Sequence, residues 1–250
     1  MPEAPFIQVR GLKQQFGEQK VLQGMDVEIK RGETVVLLGT SGGGKSVLVK
    51  HFNGLLTPTE GSVKIDGVEI SKLNERQLHE ARNKIGMMFQ NGALFDSLTV
   101  AENIAFPLKE TGETDKTVIA QKVQEALDIV RLSEHGDKLP AQLSGGMRKR
   151  VALARAVVHR PECVLYDEPH AGLDPITADQ IDHLMKDLQT QWNITNVVIT
   201  HEIRSVFRIA DRILFLKEGQ LYWEGTPDEL KASTDPLLAN FVSGTSERSW

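Results

Sequence analysis

The spacing of apolar positions changes several times along this chain. Residues 6–12 and 27–29 alternate apolar and polar, which predicts strands with one buried face. Residues 34–38 form an apolar run suited to a strand buried on both faces. Alternation returns at 62–65 and ends in the turn pair Asp66-Gly67. Residues 85–89 read as a further buried strand. From about 99 to 132 the spacing becomes helical. Val118, Val123, Leu127 and Val130 lie near one face, Asp115 is placed to cap it, and Thr111-Gly112-Glu113 separates it from a preceding helix.

After Ser144, helix and strand alternate: helix 146–159, strand 163–167, helix 175–189, strand 196–200, helix 203–210, strand 212–216. This order predicts a mainly parallel sheet with right-handed crossovers. The helix-rich middle interrupts the series and reads as an inserted subdomain. A short helix at 228–232 is followed by a tail ending in Trp250.

Composition adds limits. The 250 residues are 40% hydrophobic and 25% charged, ordinary for a soluble globular protein. The net charge of -5 argues against nucleic acid as the main partner. Cys163 is the one cysteine, sits in an apolar run and fits a reducing compartment. The opening Met-Pro-Glu-Ala-Pro lacks a basic segment followed by an apolar one, so no secretory signal is expected. No stretch approaches the ~18 apolar residues of a spanning helix, so work at a membrane would need another subunit to supply the span.

The chemistry concentrates first in Gly39-Thr40-Ser41-Gly42-Gly43-Gly44-Lys45-Ser46, which fits the phosphate-binding P-loop G-x-x-x-x-G-K-[ST]. It has the strand before it and the helix after it that the motif needs. Glycines let successive N–H groups turn inward, and the helix start adds partial positive charge. Lys45 is expected to reach the β- and γ-phosphates of a nucleotide, and the Ser46 hydroxyl to hold Mg²⁺.

A second constellation, Asp167-Glu168, ends the apolar run beginning at Cys163. At the carboxyl end of a parallel strand it would face the ligand crevice. There Asp167 serves Mg²⁺ and Glu168 orients and polarises the attacking water. Leu143-Ser144-Gly145-Gly146 opens a helix with Ser144 as cap and bare N–H groups beyond it, a second anion cradle. One triphosphate does not need two cradles in one chain. The second can serve a nucleotide bound by a facing copy, which implies pairing. Arg148-Lys149-Arg150 reads as a solvated helix face.

These motifs, in this order and spacing, resemble the nucleotide-binding subunits of ATP-binding cassette (ABC) transporters, from about residue 6 to 225. The resemblance implies an α/β P-loop NTPase: a mainly parallel core sheet, an antiparallel β subdomain and an α-helical subdomain inserted at about 91–160. The cassette would span 1–225, with a C-terminal helix and tail over 226–250. It also implies an ATPase using ATP and Mg²⁺. Glu168, His201 and Lys45 are then catalytic, and Ser46, Gln90 and Asp167 serve the metal. The family places an adenine-stacking aromatic at Phe16 and a glutamine that touches Mg²⁺ and senses the membrane partner at Gln90. It places a loop crossing the dimer interface at Ala171-Gly172-Leu173-Asp174, and a switch histidine on the γ-phosphate at His201. Stacking alone discriminates purines poorly, so GTP remains open. His170 departs from the pattern, standing where a small hydroxyl residue is common.

The stretch from Gln90 to Lys109 is more specific. Ala93-Leu94-Phe95-Asp96-Ser97-Leu98-Thr99-Val100, then Glu102-Asn103 and Phe106-Pro107-Leu108, resembles the ATPases of MCE-associated lipid transporters. The tail from Asp235-Pro236 to Gly244 resembles them too. That likeness implies an inner-membrane complex of two copies of this chain, two permeases and an MCE lipid-binding protein. The chain would sit peripherally on the cytoplasmic face and move phospholipid between inner and outer membranes. Another ABC transporter, for amino acids or other small solutes, shares every ATP-site motif. A non-transport soluble cassette is the third reading. The apolar tail residues Leu237, Leu238, Phe241 and Trp250 would dock on the neighbouring cassette or a small accessory protein, or form a loose end.

Overall fold

Two sheets and a layer of helices enclose two apolar cores. In the computed structural model, which describes residues 4–245, β1 (Ile7–Phe16), β2 (Gln19–Ile29), β4 (Glu60–Ile65) and β5 (Val68–Glu69) form an antiparallel sheet in the order β2-β1-β4-β5. The second sheet holds β3 (Thr34–Gly39), β6 (Ile85–Met88), β7 (Cys163–Asp167), β8 (Thr195–Ile199), β9 (Arg212–Lys217) and β10 (Gln220–Gly225). Its order is β10-β9-β3-β8-β7-β6, parallel except for the β9–β10 hairpin.

The central strands show no polar alternation in sequence because both faces are covered. Period two survives in the packing. Val35, Leu37, Leu165 and Val197 join the core shared with the antiparallel sheet and α1 (Lys45–Phe52). Val36, Leu38, Val164 and Val198 join the core on the helical side. Cys163 lies on the first face, fully buried, and burial pushes its thiol pKa up. A slip of one residue would exchange these sets, so the register is firmly specified. Arg31, Asp66, Lys84 and Glu162 clasp the two sheets at one end with alternating charges.

The remaining helices are α2 (Glu75–Arg82), α3 (Val100–Glu110), α4 (Lys116–Ile129), α5 (Gly145–Val157), α6 (Pro175–Trp192), α7 (Ile203–Ile209), α8 (Pro227–Ala232) and α9 (Pro236–Ser243). Asp115 caps α4 and Ser144 caps α5, as the sequence predicts. Three elements escape the apolar pattern. In α2 only Leu78 is buried, so no stripe marks it; an Asn74–Gln77 capping box starts it. The β9–β10 hairpin turns on Glu218 and Gly219, both at positive φ, the geometry a two-residue hairpin loop requires. In α9, Leu238 is fully buried and Phe241 meets the Phe215 ring edge-on at 5.1 Å. This corrects the expected loose end: Leu238 joins the helical-side core of its own cassette, and Phe241 packs on Phe215 of β9. Trp250 lies outside the described residues.

α3 and α4 pack on α5 and form the interrupting helical block. Asn103 fixes the segment leading into it. Its side chain is fully buried, accepts from Phe95 N (2.8 Å) and donates toward the carbonyls of Phe95, Leu98 and Thr99 (3.0–3.1 Å). Replacing it orphans an N–H and several carbonyls. Asn103→Ala should therefore cost about 2–4 kcal/mol in urea unfolding and expose the 95–99 segment to proteolysis. Unchanged unfolding midpoint and cleavage would contradict this reading.

Candidate nucleotide site and partner groove

β3 sits where the strand order reverses, with β8 on one side and β9 on the other. Ligand crevices form at the carboxyl end of such strands, and β3 ends there in Gly39. A side chain at Gly39 would overlap the Leu216 carbonyl, and its φ is +138°. Gly44, at φ +99°, abuts Leu22 of β2 and begins α1. α1 has no side-chain cap, whereas α2 to α9 are each capped by Asn, Thr, Asp, Ser or Glu. Its first N–H groups therefore lack a side-chain acceptor among the described residues. With the positive helix end behind them, they form an anion seat. Lys45 donates to the carbonyls of Gly39 (2.8 Å) and Thr40 (3.0 Å), which fixes its amino group over the loop. Burial lowers its pKa while Glu168 opposes that pull.

β7 delivers Asp167 and Glu168 beside this loop. Asp167 is half-buried, and its carboxylate accepts no hydrogen bond from the described residues. Burial raises its pKa against the pull of Lys50 and Lys149. Glu168 has φ +50°, a left-handed backbone that costs a non-glycine residue of order 1 kcal/mol. Its N–H donates to Ile199 O (2.9 Å), and its carbonyl accepts from Lys149 Nζ (3.1 Å). The carboxylate lies 3.0 Å from His201 Nε2. Burial pushes its pKa up, against His201 and Lys45. Lys45, Glu168 and His201 thus converge on one site.

The other expected residues take separate places. Ser46 is exposed in the first turn of α1. The aromatic Phe16 ends β1 and is 46% exposed. Gln90 follows β6, and its carbonyl accepts from the same Lys149 amino group that holds Glu168. Ser144, Gly145 and Gly146 lie at the start of α5, where Ser144 accepts from Met147 N. Asp174 caps α6 through Ile176 N, Thr177 N and the Thr177 hydroxyl, so its carboxylate is already engaged.

Lys149 corrects the expected solvated face. It is 7% exposed, and α5 turns it inward with Ala152, Leu153 and Ala156. That stripe, at intervals of three, four and seven, was the signal in the sequence. Arg148 bends back onto Leu143 O (2.6 Å). His170 was the other silent residue. It is buried between Asp182 Oδ1 (2.7 Å) and Thr200 Oγ1 (3.2 Å).

Beside Gln90 lies an apolar groove of about 500 Å³ lined by Met87, Phe89, Ala93, Phe95, Phe106 and Pro107, with Arg82 and Glu110 at hand. The Phe95 and Phe106 rings sit 4.8 Å apart. Arg155 anchors its floor by donating to Gly92 O (2.6 Å) and Ala93 O (2.7 Å). No helix among the described residues is long and apolar enough to cross a membrane.

Ser46, Gln90 and Asp167 offer a hydroxyl, an amide oxygen and one carboxylate. Among the described residues there is no cluster of three His, Cys, Asp or Glu able to cage a metal. Hard oxygens of these kinds suit Mg²⁺, which keeps waters and takes substrate phosphates as ligands.

Residues 22–171 match the family described as ABC transporter. The chain is 35% identical to the intermembrane phospholipid transport system ATP-binding protein MlaF of Haemophilus influenzae, over 97% of this chain and 92% of that one. It is 38% identical to a probable ribonucleotide transport ATP-binding protein, mkl, of Mycobacterium leprae, over 98% of this chain and 70% of that one. It is 40% identical to the methionine import ATP-binding protein MetN of Carboxydothermus hydrogenoformans, over 90% of this chain and 66% of that one. A dimeric ATP-binding cassette solved in a post-hydrolysis state with ADP and Pi superposes with TM-score 0.81 at 33% identity, over 88% of this chain and 98% of that one. A part of the ABC transporter complex cbiONQ of Clostridium perfringens superposes with TM-score 0.85 at 32% identity, covering 93% of each chain. An uncapped P-loop helix facing paired carboxylates, on a sheet shared with solved cassettes, makes this chain a member of the ABC transporter family, an ATP-binding cassette of the ATPase type.

Proposed function

We propose that two copies of this chain clamp ATP and hydrolyse it to drive phospholipid trafficking between membranes. The observation that carries the nucleotide reading is the bare N-terminus of α1, because eight other helices satisfy theirs with their own side chains. In this reading the N–H groups of Gly39 to Ser46 and the Lys45 amino group hold the β- and γ-phosphates. Phe16 stacks on the base. Ser46, Gln90 and Asp167 hold Mg²⁺. Bound there, Mg²⁺ offsets phosphate charge. Ser144, Gly145 and Gly146 of one copy face the γ-phosphate held by the other, and Asp174 crosses between them. Glu168 takes the proton of the attacking water, and His201 meets the γ-phosphate. Hydrolysis removes the bridging charge, so the halves part, a population shift between closed and open states.

The groove beside Gln90 suits a short amphipathic helix of a permease. Its lining residues Ala93, Phe95, Phe106 and Pro107 belong to the stretch that resembles MCE-associated ATPases. The phospholipid reading rests on that stretch and on the near full-length likeness to MlaF. It places the chain on the cytoplasmic face of the inner membrane, with permeases, an MCE-domain protein and a small accessory protein. The likeness to MetN favours a small-solute importer as the second reading. Purification from native membranes separates them. Co-purification of a permease, an MCE-domain subunit and phospholipid is expected. Recovery of a solute-binding protein and no lipid would overturn the lipid assignment.

Glu168→Gln should keep ATP binding and lose turnover by roughly 10²-fold or more. Wild-type turnover would refute the base assignment. Because burial raises the Glu168 pKa and the base works ionised, turnover should fall as pH drops through that raised value. The acid limb of kcat/KM, which reports the free protein, should therefore lie above the usual carboxylate range; a limb within that range would exclude Glu168 as its source. Lys45→Ala should weaken nucleotide binding and turnover together, as read by ATP titration. Unchanged affinity and rate would reject the phosphate contact.

A further inference from the structure

Beneath the loop 171–174 lies a buried polar cluster that the hydrolytic reading does not use. His170, Asp182 and Thr200 are 6%, 0% and 0% exposed. One oxygen of Asp182 faces His170 Nε2 at 2.7 Å, and the other accepts from Arg208 Nη1 at 3.1 Å. Arg208 also pairs with Asp179. A buried carboxylate needs a donor at each oxygen, so the ring hydrogen belongs on Nε2. In the neutral ring with its hydrogen there, Nδ1 is an acceptor, and the Thr200 hydroxyl donates to it at 3.2 Å. The same Thr200 oxygen accepts the Glu202 N–H at 3.1 Å.

Thr200 and Glu202 flank His201. The peptide carrying His201 is therefore held on both sides, and its ring lies 3.0 Å from Glu168 Oε1. The backbone of His170 also supports the loop: Leu173 N donates to His170 O, and Ala171 N to Glu168 O, each at 3.1 Å. Asp182, His170 and Thr200 reproduce the order of a carboxylate–histidine–hydroxyl triad. Thr200 is fully buried and its oxygen is engaged by Glu202, so no substrate reaches it. The arrangement orients rather than attacks.

We infer that His170 is a positioning residue: through Thr200 it sets the peptide that carries His201, and so links the loop 171–174 to the group facing Glu168. This rests on the proposed role of His201 and deepens it.

Two substitutions divide the contacts of the ring. Gln at 170 puts an amide nitrogen where Nε2 stands, keeping Asp182 and leaving Thr200. Asn puts a carbonyl oxygen where Nδ1 stands, keeping Thr200 and leaving Asp182. Turnover of the full chain against MgATP and thermal unfolding are measured for both. For His170→Gln, kcat should fall about tenfold with KM within about twofold and little change in Tm. His170→Asn should lose more in Tm yet less than about threefold in kcat. Thr200→Val should lower kcat by a similar factor, and adding it to His170→Gln should cost no more. Wild-type kcat in His170→Gln, or losses that multiply in the double variant, would overturn the inference. Glu168→Gln run alongside keeps the two readings apart. If it loses turnover while His170→Gln does not, the hydrolytic site stands and the positioning role falls; if it does not, the hydrolytic reading itself fails.

Discussion

The unpaired backbone donors at the start of α1 are the constraint on which the architecture turns. Eight helices supply their own acceptors at this point, but α1 is preceded by glycines that have none to offer. An N-terminus left bare costs stability unless water or a ligand completes it. The glycines are needed for space: a Cβ at Gly39 would overlap the Leu216 carbonyl, and one at Gly44 would meet Leu22. The loop is therefore packed into place by β9 and β2, and preorganisation follows from steric crowding rather than from flexibility.

A second cost is met from α5. Glu168 is held left-handed, and such a backbone persists only when its surroundings over-determine it. Ile199 O takes its N–H, and Lys149 takes its carbonyl along with that of Gln90. A buried lysine is expensive, and burial lowers the Lys149 pKa; two carbonyls and the nearby charges of Glu168 and Asp167 offset part of that cost. One amino group thereby joins the helix that opens with Ser144, the strand end bearing Glu168 and the segment leading to the groove.

The P-loop, the strand–helix alternation and the Asp167-Glu168 pair were legible in the sequence, because each follows from local backbone chemistry or a short apolar period. So were the caps Asp115 and Ser144, which act within one turn. Short elements with one buried residue, such as α2, left no period to read. β10 was missed because its identity lies in the Glu218-Gly219 turn rather than in its side chains. Lys149 was misread because its charge outweighed its place on an apolar stripe. His170 could not be interpreted alone: its partners lie 12 and 30 residues away, on α6 and at the end of β8. Long-range polar pairs carry no signature in a single chain, since each member looks like an ordinary surface residue.

The placement of these pairs bears on how a site of this kind can communicate. Apolar contacts between β7, β8 and α5 tolerate small shifts, whereas a hydrogen bond weakens steeply once its angle departs from linear. Lys149 reaches Glu168 through its carbonyl, and His170 through Thr200 and His201. A displacement of the groove at Gln90, or of the loop at 171–174, reaches Glu168 through a few directional bonds rather than through diffuse packing. In the function proposed above the groove meets a permease and the loop a second copy, and two buried polar side chains on an otherwise apolar sheet would then tie both contacts to Glu168.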